Sequence, residues 1–565
     1  MNLSKINKKL QKTYGGKVSA RYNPSNNSIV VEGNLSDWND IVSACTACVV
    51  KDRTVHIVNH ITLEGVKIPK MKIPQVMDTS LEGKCPDVLI IGGGISGTSI
   101  ARELSKWDID ILLVEKESDL AMQASGRNDG EVHPGVDLGK GSLKQKYVLE
   151  GNRIYEDICR ELDVPFRRNG QYVGFRQGYL KGVVKLYAAQ RRHIGVKDTR
   201  VISREELLKA QPQMDKDFKF GLYNSSAGTV CPYGLTIAYA ENAVSNGATV
   251  SLNTAVLFMN VKDGKIQSVV TNRGTIYPKI VINAAGVFAD SVAKMANDEF
   301  FSIHPRRGTN SILDKKANYL SDAIVSWKGV SLKKTHTKGG GIIRTVDDNM
   351  LIGPDAVETF ERENFATHRE SIKNVFDKQR LAVSRLSEGS IITYFTGVRA
   401  PTFEEDFIIE KGRECSNIIH CAGIQSPGLT TAPVVAKDIE KMAVDMLGNV
   451  KRNENYNPVR KGIPRLRELD DEARNEMIRQ NPDYGVMVCR CEEISKGEII
   501  DALKSNICVP TLDGIKRRVR PGMGRCQGGF CSPVVLQIIA EFTGKNISDI
   551  KKNNDNSVIS YGKLK

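Results

Sequence analysis

The stretch DVLIIGGGISGTSIARELSKWDIDILLVEK, residues 87–116, decides the fold of this 565-residue chain. An apolar run, Val88–Ile91, predicts a buried parallel strand, and a G-x-G-x-x-G motif at 92–97 follows it and opens a helix. A second apolar run, Ile109–Val114, ends in Glu115. Strand, glycine turn, helix, strand and acid in this order predict a dinucleotide-binding α/β unit.

Each residue of this motif has a physical role. Gly92 permits the tight turn, Gly94 lets the backbone approach a pyrophosphate, and Gly97 lets helix and strand pack closely. The helix N-terminus then faces the phosphates. Glu115 is placed to accept hydrogen bonds from a ribose diol, and an acid there disfavours the 2′-phosphate of NADP. The motif alone leaves FAD and NAD open.

Three further glycine turns favour the longer cofactor. A polar glycine-rich loop, ASGRNDGEVHPG, occupies 124–135. Strands run into small-residue turns and helices in KIVINAAGVFAD (279–290) and NIIHCAGIQSPGLTTAPVVAKDI (417–439). Such turns place backbone N–H groups at the carboxyl ends of strands, where cofactors bind in open α/β sheets. Their spread predicts a sheet built from discontinuous segments around FAD.

Composition bounds the class of protein. Hydrophobic residues make up 40% and charged residues 26% of the chain, as in globular proteins, and the length predicts two to four domains. No window holds 18 apolar residues, and the N-terminus lacks the apolar core of a secretory signal. We therefore expect a cytoplasmic protein without a transmembrane segment, with peripheral membrane contact left open. The net charge of +14 is spread without an aromatic-interleaved basic run, which disfavours nucleic acid.

The N-terminal segment has its own pattern of strand, turn, helix and strand over about 18–65. Ser36 is the expected cap of a helix whose apolar residues are spaced at three and four. Cys45 and Cys48 have the spacing of a redox pair, but both fall on that apolar face, so we interpret them as core residues. The pattern resembles the small domain called BON. We expect a docking or assembly domain without chemistry.

Ordered motifs beyond the first glycine turn carry a close resemblance. They are GEVHPG, GTVCPYGLT, INAAG, NMLIGPDA, FTGVRAPTFEEDFIIE and AGIQSPGLT, and the likeness runs from Asp87 to Ala443. The sequence resembles the FAD-dependent oxidoreductases of the D-amino-acid oxidase superfamily, in the branch of L-2-hydroxyglutarate oxidases and bacterial glycerol-3-phosphate dehydrogenases. The resemblance implies an α/β protein with a Rossmann-like FAD-binding domain and an antiparallel α+β substrate domain.

Two cysteine pairs near the C-terminus call for a separate explanation. VCRCEE (488–493) and RCQGGFC (525–531) hold Cys489-x-Cys491 and Cys526-x4-Cys531. In a cytosolic chain paired cysteines indicate metal binding before disulfides. Zinc sites usually space ligands C-x2–4-C on both arms, whereas two tight pairs suit a two-iron cluster. The tail resembles the bacterioferritin-associated-ferredoxin-like module, which implies a helical [2Fe–2S] module with these four cysteines as ligands. We interpret the basic residues of 516–525 as offsetting the charge of the cluster.

These assignments predict the domain organisation. We expect a BON-like α+β domain at 1–75, the oxidoreductase at 86–445, a linker at 446–483, the [2Fe–2S] module at 484–548 and a polar tail at 549–565. Within the oxidoreductase, FAD-binding segments are expected at 86–143, 231–300 and 391–445, and the substrate domain at 144–230 and 302–390.

The motifs and the resemblance together give the candidate FAD-binding residues. They are Gly92, Gly94, Ser96, Gly97, Glu115, Lys116, Ser125, Arg127, Asn128, Ala285, Gly286, Gly423, Gly428, Leu429 and Thr430.

Arg399, in TGVRA, matches the position where the superfamily keeps an arginine facing the anionic group of the substrate. A guanidinium fork suits a carboxylate or a phosphate. The alternative is a surface salt bridge with Glu404 or Glu405.

Histidines are the candidate bases. His133 lies in the loop expected beside the isoalloxazine ring and is placed to take the hydroxyl proton; the alternative is a structural hydrogen bond within the loop. His336 is the second candidate base. Arg307 and Lys338 are further candidates for contact with an anion.

The implied activity is a dehydrogenase that passes electrons from a small anionic alcohol to FAD, through the cluster, and on to an external protein or quinone-linked acceptor. The fusion of these modules favours sn-glycerol 3-phosphate, oxidised to dihydroxyacetone phosphate, as the substrate. QSPGLTTAP replaces a KLTTYR-like arm of glycerol-3-phosphate dehydrogenases, which favours a 2-hydroxyacid. An amino-acid or amine dehydrogenase and a non-enzymatic electron carrier remain alternatives. The oligomeric state is left open.

Overall fold

The computed structural model describes residues 2–329 and 340–562. Its first elements are α1 (Leu3–Tyr14), β1 (Val18–Asn23), β2 (Ser28–Leu35), α2 (Trp38–Ala47) and β3 (His56–Leu63). We call these elements the N-terminal unit. Their sheet has the order β1-β2-β3, in which β1 and β2 are antiparallel and β2 and β3 parallel.

The N-terminal unit differs from its prediction in two details. Helix α1 was not expected, because basic residues interrupt its short apolar repeat. Leu10, one residue of that repeat, is buried. Helix α2 is capped by Asp37, whose carboxylate accepts the N–H groups of Asn39 and Asp40, and not by Ser36. Cys45 and Cys48 are fully buried in the core, and burial raises the pKa of both thiols.

The next part of the chain alternates strands and helices. Its elements are β4 (Val88–Ile91), α3 (Ile95–Leu104), β5 (Ile111–Val114), β6 (Glu131–Val132), α4 (Leu143–Glu161), β7 (Phe166–Arg167), β8 (Gln171–Phe175), α5 (Lys181–His193), β9 (Arg200–Ser203), α6 (Arg204–Ala210), β10 (Phe220–Asn224), β11 (Gly228–Val230), α7 (Pro232–Ser245), β12 (Thr249–Ser251), β13 (Val256–Lys262), β14 (Lys265–Thr271), β15 (Gly274–Ile276), β16 (Ile280–Asn283) and α8 (Ala289–Met295). There follow β17 (Arg306–Leu313), β18 (Ile324–Lys328), β19 (Gly341–Arg344), β20 (Met350–Gly353), β21 (Val357–Glu358), α9 (Arg369–Arg380), β22 (Ile391–Arg399), β23 (Ile408–Lys411), β24 (Ile418–Ala422) and α10 (Gly428–Leu447).

A six-stranded sheet of order β12-β5-β4-β16-β24-β23 forms the centre of this part. Its strands are parallel except for β23, and β4, β5, β16 and β24 are buried on both faces. Helices α3, α7 and α10 pack together, and the small sheet β13-β14-β15 adds a further layer. Because β4, β16 and β24 are neighbours, the three glycine turns that follow them meet at one edge of the sheet. The predicted Rossmann-like sheet is confirmed.

A nine-stranded sheet forms the second layer of the molecule. Its order is β21-β17-β20-β19-β18-β8-β10-β9, with β22 also paired to β17. All pairs are antiparallel except β18 with β8. Strand β22 was expected in the FAD-binding segment 391–445, but its hydrogen bonds are made with β17, so Arg399 at its end belongs to the large sheet.

The C-terminal part is mostly helical. It contains α11 (Asp471–Gln480), β25 (Met487–Cys489), β26 (Ile494–Ser495), α12 (Lys496–Leu503), α13 (Leu512–Val519) and α14 (Ser532–Thr543). Helices α12, α13 and α14 share one hydrophobic core that also includes Cys489 and Cys531. Throughout the described residues, no helix has the length and apolarity needed to cross a membrane.

Candidate active site

The glycine turn after β4 is shaped for close backbone contacts. Gly92 has φ +113°, and a Cβ there would lie 2.4 Å from the Ala284 carbonyl oxygen. A Cβ on Gly97 would lie 1.9 Å from the Gly92 carbonyl oxygen, so only glycine lets α3 begin this close to β4. The N–H of Ile95, in the first turn of α3, donates to Ser125 Oγ at 2.9 Å. This helix start has the open backbone that a pyrophosphate requires.

Glu115 lies at the end of β5, beside the same turn. Its carboxylate accepts the Gly93 N–H at 2.6 Å and the Glu117 N–H at 2.8 Å. Burial raises the pKa of Glu115. The side chain is therefore held by two backbone donors at the position expected to receive a ribose diol.

A cavity of about 470 Å³ runs from this turn into the large sheet, and we call it the flavin cavity. Predicted residues that line it are Gly92, Gly94, Ser96, Glu115, Lys116, Ser125, Arg127, Asn128, His133, Ala285, Gly286, Arg399, Gly428 and Leu429. A glycine cradle, a helix N-terminus and a buried carboxylate along one cavity fit FAD.

Three predicted residues lie behind the cavity wall, and two fall outside the described residues. Gly97 packs under the turn, and a Cβ on Gly423 would meet the Asp406 carbonyl oxygen at 2.7 Å. Thr430 is buried, and its Oγ1 accepts the His133 N–H at 2.9 Å. His336 lies outside the described residues, as does Lys338.

His133 is held between two polar side chains. Its Nδ1 lies 3.2 Å from Glu131 Oε1, and its Nε2 lies 3.0 Å from Ser426 Oγ. Glu131 is buried and also accepts a hydrogen bond from Gln171 Nε2 at 2.9 Å. A carboxylate at Nδ1 favours the tautomer with its proton there, which leaves the Nε2 lone pair free to accept a proton.

Neither Glu131 nor Ser426 was predicted from the sequence, although both line the flavin cavity. The spacing in GEVHPG was a usable signal, since residues two apart on an extended chain point the same way. Ser426 gave no such signal, because it lies 293 residues from its histidine partner.

Arg399 lies in the cavity wall at the end of β22. Both Nη atoms donate to the Asp355 carbonyl oxygen at 3.1 Å. A Cβ on Gly308, in the paired strand β17, would lie 2.3 Å from Arg399 Nη2, so this glycine makes room for the guanidinium. Burial lowers the pKa of Arg399, against the opposing effect of Asp129.

The acids that could have paired with Arg399 have other partners. Glu405 Oε1 accepts from Arg306 Nη2 at 2.5 Å, and Glu404 Oε1 accepts the Ile57 N–H at 2.7 Å. The surface-salt-bridge alternative for Arg399 therefore has no support in these contacts.

Arg306 is a second buried guanidinium on the cavity wall. It is the register partner of Arg399 across β17 and β22, and Glu358 Oε1 accepts from its Nε at 2.5 Å. Arg307, the neighbouring residue predicted from the sequence, contacts His368 Nε2 at 2.8 Å instead. Successive side chains of a strand point to opposite faces, so one of two adjacent arginines reaches the cavity.

The four cluster cysteines form two pairs. Sγ of Cys491 lies 3.8 Å from Sγ of Cys526, and Cys531 lies close enough to Cys489 to lower the pKa of its thiol. Two sulfurs on one tetrahedral metal, with bonds of about 2.3 Å, lie about 3.8 Å apart. The sulfurs of Cys491 and Cys526 therefore have the separation expected for two ligands of one iron in a two-iron cluster. Across the described residues, no three His, Cys, Asp or Glu side chains converge as on a single metal ion.

Hydrogen bonds prepare two of these thiols to act as thiolates. The Cys531 thiol, and then backbone N–H groups that include that of Gly522, lower the pKa of Cys489. The N–H of Phe530, with those of Gly528 and Gly529, lowers the pKa of Cys526. The thiolate is the form that binds iron.

The basic residues near the cluster pair with acids of the oxidoreductase part. Asp119 is fully buried and accepts from Arg517 Nε at 2.8 Å and Arg518 Nη1 at 3.0 Å. Arg520 lies 2.7 Å from Asp347 and donates to the Tyr233 hydroxyl at 3.0 Å. Arg517, Arg518 and Arg520 therefore also join the cluster-binding part to the oxidoreductase part.

A second cavity, of about 400 Å³, lies between the two parts. It shares residues 127–129 with the flavin cavity, and on its other side it is lined by Arg520, Met523 and Gln527 of the cluster-binding part. The loop beside the flavin cavity and the loop that leads to Cys526 therefore border one space.

Comparisons with known proteins agree with this geometry. The family described as FAD dependent oxidoreductase matches residues 87–442, and the BFD-like [2Fe-2S] binding domain matches 487–541. The chain is 38% identical over 480 residues to a glycerol 3-phosphate dehydrogenase of Caloramator mitchellensis, covering 85% of this chain and 99% of that protein.

Two further relatives extend the comparison. An anaerobic glycerol-3-phosphate dehydrogenase subunit A1 of Haloferax volcanii is 24% identical, over 79% of this chain and 81% of that protein. Among solved structures, the dithionite-reduced L-alpha-glycerophosphate oxidase of Mycoplasma pneumoniae with FAD bound has a TM-score of 0.62 at 25% identity. That match covers 67% of this chain and 98% of that one. The chain therefore belongs to the FAD dependent oxidoreductase family, as an oxidoreductase whose cofactors are FAD and a [2Fe–2S] cluster.

Proposed function

We propose that the protein oxidises sn-glycerol 3-phosphate to dihydroxyacetone phosphate and passes the electrons through its cluster to an external acceptor. When bound, FAD would supply two-electron chemistry, and the cluster would supply one-electron transfer. The remaining steps, which are binding, orientation and proton removal, fall to side chains of this chain.

The observation that carries the proposal is a set of three cations in the flavin cavity, whose lining also includes His133. They are Arg399, Arg306 and Lys144, and we call the part of the cavity that they line the anion pocket. Two consecutive residues connect the anion pocket to the histidine. Gln425 donates at 2.6 Å to Glu405, which binds Arg306, and Ser426 contacts His133. A guanidinium fork binds a phosphate by two parallel hydrogen bonds. A phosphate held there leaves the other end of a three-carbon substrate near the imidazole.

His133 is the proposed base. Ser426 Oγ occupies the hydrogen-bonding position of Nε2, and a substrate hydroxyl that takes this position would donate its proton to Nε2. Glu131 at Nδ1 keeps the ring oriented and stabilises the imidazolium that results. Arg399 has the role of the anion clamp.

The acceptor is proposed to approach the cluster from the side of Cys491. This cysteine is exposed, whereas Cys489 and Cys531 are buried. A protein or quinone-linked acceptor fits the relatives named as subunits of anaerobic dehydrogenases. We also propose domain boundaries near residues 75, 445 and 484, with the cluster-binding part as a separate module.

Anaerobic flavin bleaching tests the substrate. Purified protein is mixed with glycerol 3-phosphate, L-2-hydroxyglutarate or proline, and the yellow flavin absorbance is followed. We expect rapid bleaching with glycerol 3-phosphate alone. Bleaching by L-2-hydroxyglutarate or proline in its place would transfer the activity to those substrates. Failure of all three would favour an electron carrier that another protein reduces.

A further inference from the structure

We propose that the N-terminal unit positions the anion pocket, through the segment Phe403–Asp406, which we call the junction turn. The inference rests on the proposed function, because it concerns the same pocket. The junction turn begins four residues after Arg399. Its first two side chains contact the N-terminal unit, and its last two contact residues that line the flavin cavity.

Phe403 and Glu404 anchor the turn in the N-terminal unit. Phe403 is 3% exposed and is part of the hydrophobic core formed by α1, α2 and the three strands. Glu404 Oε1 accepts the Ile57 N–H at 2.7 Å, and its Oε2 lies 3.7 Å from His56 Nδ1. A buried aromatic ring and a charge-assisted hydrogen bond fix the turn against β3.

Glu405 connects the anchored turn to Arg306 by a direct ion pair. Its carboxylate accepts from Arg306 Nη2 at 2.5 Å and from Gln425 Nε2 at 2.6 Å. Burial raises the pKa of Glu405, but the hydrogen bond and charge of Arg306, the charge of Lys144 and the hydrogen bond from Gln425 together outweigh burial and bring the pKa to about 2. The carboxylate is therefore ionised and binds the guanidinium as an ion pair.

A second chain of contacts connects the ring of Phe403 to Arg306 through His304 and Glu358. It stacks on His304, with ring centroids 4.7 Å apart and planes at 13°. His304 Nδ1 lies 2.9 Å from Glu358 Oε2, and Glu358 is the other carboxylate that binds Arg306. Both acids that hold this arginine are thus connected to the residue buried in the N-terminal unit.

Asp406 holds the backbone of Lys144, the residue that supplies another cation of the pocket. Its carboxylate accepts the N–H groups of Leu143 and Lys144 at 3.0 and 3.1 Å, at the start of α4. Arg53, from the N-terminal unit, donates to the same carboxylate at 2.9 Å. Lys144 is buried and lines the flavin cavity. The turn cannot shift without displacing both Arg306 and the first turn of α4. A purely docking role for the N-terminal unit does not account for these contacts.

The test is Glu404→Ala in the full-length holoenzyme. Loss of a charge-assisted hydrogen bond that fixes the turn should raise KM for glycerol 3-phosphate about tenfold. Because the bound phosphate is remote from the reacting carbon, kcat should change less than about threefold. FAD and iron content should match the wild type. Glu404→Gln keeps a side-chain oxygen for the Ile57 N–H and should restore most of the wild-type KM.

Glu414→Ala is the matched control at the same interface. This carboxylate accepts from Ser25 Oγ at 2.8 Å and Asn26 Nδ2 at 3.0 Å but lies outside the flavin-cavity lining. Its KM should equal that of the wild type. A wild-type KM in Glu404→Ala, or an equal rise in Glu414→Ala, would overturn the inference. If Glu404→Ala does not fold, Phe403→Leu should show the same rise in KM, and a wild-type KM there would likewise contradict it.

Titration with inorganic phosphate separates this inference from the proposed function. Binding of phosphate in the anion pocket is followed by the perturbation of oxidised-flavin absorbance, which needs no turnover. We expect a Kd about tenfold higher in Glu404→Ala than in the wild type or Glu414→Ala, whatever the substrate is. Absence of wild-type bleaching by glycerol 3-phosphate would refute the proposed function alone, whereas equal phosphate affinities would refute the positioning role.

Discussion

Arg399 makes the proposed function testable at the level of one side chain. Lysine would keep its charge but lose the planar two-point contact, so Arg399→Lys should raise KM and lower kcat/KM. Arg399→Ala should lower kcat/KM further, by roughly a hundredfold, since the anion is then desolvated without a partner. The measurement is steady-state kinetics with an artificial acceptor.

Arg307→Ala is the control for the loss of one positive charge, because Arg307 contacts His368 and does not line the flavin cavity. It should leave kcat/KM near the wild-type value. Unchanged kcat/KM in Arg399→Ala, with an intact flavin spectrum, would show that Arg399 has only a structural role.

Side chains near the substrate were only partly predictable from the sequence. Arg399 and His133 come from short motifs, and the structure places both on the flavin cavity. Arg306 was missed in favour of Arg307, because the sequence does not tell which face of an unplaced strand meets the cavity. The contact of Ser426 with His133 depends on tertiary folding, which brings the loop before α10 against β6.

At the scale of elements, the glycine turn after β4 provides the sharpest prediction. Gly97→Ala places a Cβ 1.9 Å from the Gly92 carbonyl oxygen, so α3 must move away from β4 and the helix N-terminus leaves its position. We expect purified protein with strongly reduced FAD content, read from the flavin-to-protein absorbance ratio. Gly182→Ala is the matched control, since a Cβ near the start of α5 has no atom within 4 Å. FAD content equal to the wild type in Gly97→Ala would contradict the close-packing role.

Elements with strong periodic signals agreed best with their predictions. The apolar strand before the first glycine and the helix after it appear in the expected order, because buried parallel strands and their turns leave a local signature. The N-terminal helix α1 was not predicted, because eight of its twelve residues are polar or basic and this composition is typical of a solvated segment. Strand β22 was assigned to the wrong sheet because strand pairing is a non-local property.

At the scale of the whole molecule, contacts between parts carry information that no segment shows alone. The junction turn joins the N-terminal unit to the anion pocket. The basic helix α13 joins the cluster-binding part to the oxidoreductase part through the pairs of Arg517 and Arg518 with Asp119. Both connections pair residues hundreds of positions apart, so composition and spacing could not reveal them.

Asp119 offers a test of whether this docking serves electron transfer. Although burial raises its pKa, Arg518 and Arg517 lower the pKa below the ordinary value, so a buried carboxylate binds two guanidinium groups. Removing one partner of such a group typically costs about 3–5 kcal/mol. Asp119→Asn should therefore loosen the contact between the parts while each keeps its cofactor.

Anaerobic stopped-flow spectroscopy resolves the two transfers. In Asp119→Asn, substrate should bleach the flavin at the wild-type rate, whereas reduction of the cluster should slow by about tenfold or more because the two redox groups are no longer held at a fixed separation. Asp314→Asn is the control, since its partner Arg525 is exposed and that ion pair contributes little. Cluster reduction at the wild-type rate in Asp119→Asn would show that the buried ion pairs stabilise the molecule without setting the path of the electrons.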